Sequence, residues 1–308
     1  MWNEKYIFVG GKGGVGKSTS ATAIAVKHAN AGQKTLLVST DPAHNIGDIF
    51  QISIGGKIKK VDSSLYALEI DPEIETTQYI QTVKEHIKGV VNAKMMEEVH
   101  RQLDAAKTSP GADEAALFDR LITILLEESG NFDKIVIDTA PTGHTIRLLS
   151  LPTLMGVWMQ GLIDRRKATN DKYSRLIYDG EPVEDPIYDA LRTRQSRFER
   201  ARSILLDDTR TAYVFVLNAE RLPIIETEKA MRLLQHYEMD VSTLIVNKVL
   251  PQEVTGAFMK ERKKHEAQYV KQIYETFKKQ SIYAVPLFSK DITSKAQLLA
   301  VSHYLGKE

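Results

Sequence analysis

Short runs of β-branched and aliphatic residues alternate along the chain with longer segments whose apolar residues recur at helical spacing. This alternation is typical of a parallel sheet covered by helices, because a crossover between parallel strands usually contains a helix. The apolar runs predict strands at residues 6–9, 35–39, 65–70, 134–137, 212–217, 243–246 and 282–285. Helical spacing predicts helices at residues 17–31, 223–237, 253–279 and 294–304. We therefore expect an α/β fold: a mostly parallel sheet of about 7–8 strands with helices on both faces.

Two long segments, residues 72–130 and 150–208, interrupt this alternation and are helical in pattern. Each is too long for a simple crossover between two strands. We expect both to be helical insertions into a single domain that spans residues 1–308, and to form a separate subdomain. Within the second insertion, residues 164–185 are the most polar part, and they are the best candidate for a mobile loop.

Charge and composition exclude several classes of function. Lys and Arg number 41 against 40 for Asp and Glu, so no overall field attracts nucleic acid or an anionic membrane. The chain has no cysteine, which excludes disulfides, thiolate metal sites and iron–sulfur clusters. No run reaches the length of about 18 apolar residues that a membrane-spanning helix needs. These features predict a cytoplasmic protein that meets membranes only through its partners.

A glycine-rich segment follows the first predicted strand and leads into the first predicted helix. Residues 11–18 match the phosphate-loop pattern G-x-x-x-x-G-K-[ST], which in this setting predicts nucleotide binding. Backbone N–H groups of such a loop surround the phosphates, Lys17 reaches the β- and γ-phosphates, and the Ser18 hydroxyl is a ligand for Mg²⁺. The ATP-binding residues predicted here are Gly11, Lys12, Gly13, Gly14, Val15, Gly16, Lys17, Ser18 and Thr19.

Two aspartates that follow predicted strands are candidates for the chemistry of hydrolysis. In open parallel sheets, ligands bind outside the carboxyl ends of the strands. Asp41 is placed to orient or polarise the attacking water, and Asp138 is placed to hold Mg²⁺ through a water molecule. As an alternative, either carboxylate only caps the turn that follows its strand.

Lys12 is a second lysine inside the loop, and its presence narrows the class of nucleotide-binding protein that the motif indicates. Gly-Lys-Gly-Gly-Val-Gly-Lys-Ser resembles the deviant phosphate loop of the signature-lysine ATPases. Residues 41–45 and 138–145 are similar to switch I and switch II of one family in that class, the ArsA family of arsenical pump-driving ATPases and tail-anchored-protein targeting ATPases. The candidate switch residues are Pro42, His44, Asn45, Pro141, Gly143 and His144. Each histidine is as consistent with a structural hydrogen bond as with catalysis.

The resemblance implies a homodimer that uses ATP and Mg²⁺, in which Lys12 crosses to the partner's nucleotide and acts with Lys17 and Asp41. It also implies that Asn247 contacts adenine, that Pro286 and Phe288 lie against the base, and that Glu220 lies near the partner's nucleotide. Some relatives hold their dimer through a cysteine zinc site. Gly256 and Met259 stand at those positions here, so no zinc is expected.

The inserted helices carry apolar stripes at helical spacing, for which two interpretations are open. The first is packing within the protein core. The second is a groove for an apolar client helix, since flexible methionines adapt to varied partners. The candidate groove residues are Met95, Met96, Val99, Leu121, Leu125, Met155, Trp158, Met159 and Leu162.

Three functions follow from these features. The first is ATP hydrolysis by a homodimer that binds and releases a hydrophobic transmembrane client. The second is a peripheral ATPase subunit that drives an efflux pump for arsenite or another anion; the absence of cysteine argues against arsenite sensing through thiols. The third is a nucleotide-gated scaffold in which hydrolysis is incidental.

Overall fold

The computed structural model describes residues 2–41, 45–87, 93–109, 111–139, 149, 151, 159–168 and 185–306. The chain divides into two compact units. The sheet unit comprises Met1–Asp71, Ser129–Arg147 and Leu205–Glu308, and the helical unit comprises Pro72–Glu128 and Leu148–Ile204. No described helix combines the length and the apolar character needed to cross a bilayer.

The sheet unit is built on eight described strands: β1 (Tyr6–Gly11), β2 (Thr35–Ser39), β3 (Lys59–Lys60), β4 (Leu65–Glu69), β5 (Lys134–Asp138), β6 (Thr211–Asn218), β7 (Val241–Val249) and β8 (Ser281–Pro286). Their order in the sheet is β3-β4-β2-β5-β1-β6-β7-β8. All neighbouring strands pair in parallel except β3, which is antiparallel to β4. The α/β fold with a mostly parallel sheet is therefore confirmed.

The register of the central strands brings their carboxyl ends to one edge. Asp138 is paired with Val9 of β1 on one side and with Ser39 of β2 on the other. Across β1, Gly11 is paired with Val216 of β6, and Asn218 at the end of β6 is paired with Asn247 of β7. The segments that follow β1, β2, β5, β6 and β7 thus leave the sheet at the same edge, where parallel sheets bind ligands.

The helices of the sheet unit are α1 (Lys17–Asn30), α2 (Asn45–Phe50), α8 (Arg221–His236), α9 (Ala257–Thr276) and α10 (Lys295–Ser302). Every residue of β1 and β2 is buried, which is why these strands read as continuous apolar runs rather than as an alternation. The side chains of α1 from Ser20 to Val26 are buried as well. This packing holds the phosphate loop between a rigid strand and a rigid helix.

The helical unit contains α3 (Pro72–Ile87), α4 (Ala93–Ala106), α5 (Ala112–Thr123), the described part of α6 (residues 159–168) and α7 (Pro186–Leu206). Helix α5 continues into a π-turn, Ile124–Glu128. Phe118 on α5 packs against Phe198 on α7, with ring centroids 5.3 Å apart. Beside this apolar contact, Arg120 lies 2.7 Å from Glu128 and 3.8 Å from the buried Glu75 of α3.

Some predicted boundaries differ from the structure for local reasons. Helix α9 begins at Ala257 instead of residue 253, because Gly256 has a φ of 84°, outside the helical region. The two-residue strand β3 and the short helix α2 were not predicted, since neither is long enough to show a period. The expected mobile loop at 164–185 is partly wrong: residues 164–168 are helical, and Asp185 lies just before α7, where it is 2.6 Å from Arg166. The rest of that segment lies outside the described residues.

Candidate active site

The phosphate loop occupies the turn between the end of β1 at Gly11 and the start of α1 at Lys17. A side chain at Gly11, where φ is 147°, would overlap the Val216 carbonyl of β6. Gly16 is the N-cap of α1 with a φ of 96°, and no side chain caps the helix there. The N-terminal N–H groups of α1 therefore face the loop, which favours bound phosphate through both hydrogen bonds and the helix dipole.

The two lysines of the loop have different partners. Lys17 is buried, with its Nζ donating to the Lys12 carbonyl at 3.4 Å and lying 4.0 Å from Asp41 Oδ2. The Lys12 ammonium points instead to α8, where it forms a 2.8 Å salt bridge with Glu226 Oε1. The structure thus brings Lys17 and Asp41 together and directs the Lys12 side chain to α8.

Asp138 is fully buried at the end of β5, and burial raises its pKa to about 7. The nearby Ser18 hydroxyl and the Lys17 ammonium oppose that rise. Neither carboxylate oxygen of Asp138 has a hydrogen-bond partner at normal distance among the described residues. A buried carboxylate beside a hydroxyl is a set of oxygen donors of the kind that Mg²⁺ prefers. Ser18 and Asp138 therefore fit the predicted Mg²⁺ site, and deprotonated Asp138 would hold the ion directly or through water.

Asn247 lies against the phosphate loop. Its Nδ2 donates to the Val15 carbonyl at 2.8 Å, and a side chain at Gly16 would overlap that nitrogen. One of its N–H donors is therefore used by the loop, and the contact of the rest of the amide with adenine stays a prediction. The bond to Val15 also fixes the position of Nδ2 relative to the loop.

The other residues predicted near nucleotide lie on neighbouring segments of the same unit. Glu220 precedes α8 and pairs with Arg262 of α9 at 2.8 Å, both side chains being more than half exposed. Pro286 ends β8, and Phe288 follows it, with its ring edge-to-face against Tyr304 at 6.2 Å between centroids. Phe288 is half-buried and packs against the core of the sheet unit. Its contact with an adenine ring stays a prediction.

The switch residues fall largely outside the described part of the chain. Pro42, His44, Pro141, Gly143 and His144 are not described, and of Asn45 only the backbone is, as the first residue of α2. The start of α2 is nevertheless fixed, because the Gly47 N–H donates to the buried Glu69 carboxylate at 2.8 Å. Glu69 ends β4, paired with Ser39 of β2, so it ties the segment after Asp41 to the sheet.

Sequence reasoning missed three residues that contact the phosphate loop or the segment that follows Asp41. Glu69 carried a signal, since it is an acid at the carboxyl end of a predicted parallel strand, as Asp41 is. Glu226 carried none, because an acid on a helix surface is ordinary. Lys248, whose Nζ donates to the Gly14 carbonyl at 3.2 Å, also carried none.

The candidate groove residues divide by burial. Leu121, Leu125 and Met159 are buried within the helical unit, which favours the core-packing alternative for them. Met96, Val99 and Leu162 are half-buried. Met155 and Trp158 lie outside the described residues, as does the side chain of Met95.

The arrangement supplies the parts that phosphoryl transfer to water requires. Lys17 and the N–H groups of the loop would stabilise charge on bound phosphates, and Ser18 and Asp138 fit a metal ion that would neutralise it. Asp41, whose Oδ2 lies 4.0 Å from Lys17 Nζ, is close enough to the loop for its predicted role of orienting a water molecule. The transition state of phosphoryl transfer is stabilised mainly by positioning and by charge, and these are the roles predicted for these groups.

A family model and several relatives that match this chain are all described as ATPases. A family model described as anion-transporting ATPase matches residues 4–307. The chain is 32% identical to a protein of Aquifex aeolicus with the provisional name arsenical pump-driving ATPase 2, over 98% of this chain and 99% of the relative. It is 31% identical to ATPase GET3A of Arabidopsis thaliana, over 97% of this chain and 83% of the relative. It is 30% identical to ATPase GET3 of Malassezia globosa, over 98% and 90% respectively.

Proposed function

The chain is an ATPase that belongs to the anion-transporting ATPase family, and we propose that it works as a nucleotide-gated homodimer that binds and releases a hydrophobic transmembrane client. The observation that carries the proposal is the direction of Lys12. Its ammonium pairs with Glu226 on α8, whereas Lys17 serves the phosphate site of its own chain. Because the Lys12 ammonium points away from its own loop, it is suited to bind a phosphate group of a nucleotide held by a second chain.

Asp41 would couple ATP hydrolysis to the change from the closed dimer to the state that releases the client. In each subunit, Lys17 and Ser18 bind the nucleotide and Asp41 orients the water. Lys12 of the partner then adds positive charge that is present only when the two chains meet. Hydrolysis would remove the group that Lys12 binds, so the closed state would lose its stabilising contact and the client would be released.

The client would be held by the helical unit. Helix α4 is amphipathic, and its apolar positions Met96 and Val99 are half-buried in this chain. Methionine adapts to side chains of different shape, which suits a site for varied apolar helices. We place the protein in the cytoplasm, in contact with membranes only through its client.

An ATP-loaded Asp41→Asn variant tests this function, because it should bind nucleotide but hydrolyse it slowly. Incubated with a membrane protein that has a single C-terminal transmembrane helix, this variant should retain the protein through purification. Lys17→Ala, which cannot hold the phosphates, should not retain it. If both variants retain equal amounts, or neither retains any, nucleotide-gated client binding is wrong. Normal release by Asp41→Asn would instead favour the scaffold function, in which turnover is dispensable.

Val99→Glu tests whether α4 contributes to the client site. The substitution places a charge on the apolar side of the helix and should reduce client retention without changing the basal ATPase rate. Gln102→Glu adds the same charge at an exposed position of α4 and is the matched control. Equal retention by the two variants would place the client elsewhere.

The second candidate function is a peripheral subunit of an anion pump. It is favoured by the provisional name of the Aquifex aeolicus relative. Stimulation of ATP turnover by arsenite or another oxyanion, in the absence of any client, would support it. The chain has no thiol with which to bind arsenite, so such stimulation would have to come through a membrane partner.

A further inference from the structure

Two consecutive residues at the end of β7 bind two consecutive carbonyls of the phosphate loop. Asn247 Nδ2 donates to Val15 O at 2.8 Å, and Lys248 Nζ donates to Gly14 O at 3.2 Å. The two segments are more than 200 residues apart in sequence. Their contact follows from the sheet order, since β7 lies next to β6, and β6 next to β1.

A regular strand does not allow this arrangement, because successive side chains point to opposite faces of the sheet. Strand β7 departs from regularity at this point. Its pairing with β8 shifts register between Val246 and Val249, and Lys248 has a φ of 59°, in the left-handed region. A bulge redirects side chains, and here the left-handed residue lets Asn247 and Lys248 reach the same loop. That backbone conformation is unfavourable for a residue with a β-carbon, so the fold maintains it at a cost.

The phosphate loop has a physical need for such contacts. Glycines let its backbone curl, but they also leave it many conformations when no nucleotide is bound. Its N–H groups must face the phosphates, and its carbonyls therefore face away and require donors of their own. Lys17 supplies one donor, to Lys12 O, while Asn247 and Lys248 supply the donors for Val15 and Gly14.

We propose that Lys248 is a positioning residue for ATP binding: from the bulge in β7 it holds the Gly14 carbonyl and keeps the phosphate loop in its nucleotide-binding shape. Lys248 acts through the loop and does not touch the reacting atoms. A loop that is fixed in advance loses less conformational freedom when nucleotide binds, so the effect appears in affinity rather than in the rate of the chemical step. The role needs only the ATPase activity and is independent of the client.

The test measures nucleotide Kd by titration calorimetry, together with KM and kcat, for three substitutions. Lys248→Met keeps the stem and removes the donor; its ADP Kd and ATP KM should rise about tenfold, with kcat within about twofold of the wild-type value. Lys248→Arg retains a charged donor and should recover most of the lost affinity. Lys248→Gly removes the donor and also relieves the strain of the left-handed backbone at this position. It should therefore bind ADP as weakly as Lys248→Met, although its folded state should be at least as stable as that of wild type.

Lys278→Met is the matched control, because Lys278 is an exposed lysine of the same unit, just beyond α9. It should leave Kd, KM and kcat unchanged. The proposal is overturned if Lys248→Met binds ADP within about twofold of wild type, or if its kcat falls while its KM is unchanged. It is also overturned if Lys248→Gly binds ADP as tightly as wild type, since the Lys248 side chain would then have no part in nucleotide binding.

Discussion

Lys12 Nζ lies 2.8 Å from Glu226 Oε1, so the additional lysine of the phosphate loop is held by helix α8. If Lys12 serves a second chain's nucleotide, this ion pair must break first. Glu226→Gln removes the competing charge and should lower the KM for ATP without raising kcat. Because both side chains are about 40% exposed, the pair stabilises the resting arrangement modestly, and the expected decrease is no more than about fivefold.

Glu228→Gln is the control for this prediction. Glu228 lies on the same helix and pairs with Arg232, away from the loop. Removing the charge of Glu228 should leave the KM for ATP unchanged. High salt should also reduce the difference between Glu226→Gln and wild type, since it screens exposed ion pairs. A KM that rises in Glu226→Gln would mean that Glu226 supports nucleotide binding and does not compete for Lys12.

The raised pKa of Asp138 predicts how the stability of the nucleotide-free protein depends on pH. Because burial raises the pKa from 3.8 to about 7, the folded state binds a proton that the unfolded state releases between those values. The free energy of unfolding should therefore fall as pH rises from about 4 to about 7, by an amount on the order of 3 kcal/mol from this group. Asp138→Asn cannot titrate and should lose this part of the pH dependence.

The measurement is the difference in free energy of unfolding between wild type and Asp138→Asn, in Mg²⁺-free buffer at pH 5 and at pH 8. Taking the difference cancels the contributions of the other titrating groups to the pH dependence of stability. One of these is the buried His28, whose pKa is lowered to about 4 and whose effect on stability has the opposite sign. The same titration predicts that Mg²⁺ binding strengthens with pH up to about 8, because the ion needs the deprotonated carboxylate. A difference that does not vary with pH would contradict both predictions.

Gly16 should tolerate no side chain. Its φ of 96° is unfavourable for alanine, and a β-carbon there would overlap Asn247 Nδ2. Gly16→Ala should lower the free energy of unfolding by about 1–3 kcal/mol and weaken ATP binding, because relief of the clash displaces Asn247 from the loop. Gly13 is surrounded by open space, so Gly13→Ala should change stability by no more than about 0.5 kcal/mol. Equal melting temperatures for the two nucleotide-free variants would refute this account of Gly16.

The fold was largely predictable because its signals are local. Continuous apolar runs located seven of the eight strands, since a strand buried on both faces must be apolar throughout. The phosphate loop was recognisable because glycine, lysine and serine are each required by the phosphates or the metal ion, and their spacing is fixed by the turn into α1. Asp41 and Asp138 were proposed from their places after predicted strands, and the structure places both near Lys17.

The contacts that arrange the site could not be predicted in this way. Glu226 and Lys248 reach the loop from elements more than 200 residues away, and the sequence around each of them gives no sign of that contact. The left-handed backbone of Lys248 has no sequence signal, because glycine or asparagine is the usual residue in that conformation. The burial of Leu121, Leu125 and Met159 depends on which helices pack together, and a helical stripe does not distinguish a core from a groove.

The central claim is that each complete site combines Asp41 of one chain with Lys12 of another, and a hybrid dimer tests it most directly. Lys12→Ala and Asp41→Asn should each abolish turnover alone. A hybrid of the two, coexpressed and purified through two different tags, contains one site with both intact residues and one site with neither. It should hydrolyse ATP at about half the rate of the wild-type dimer. A hybrid as inactive as its parents, or a failure of the two chains to copurify with ATP, would contradict the claim.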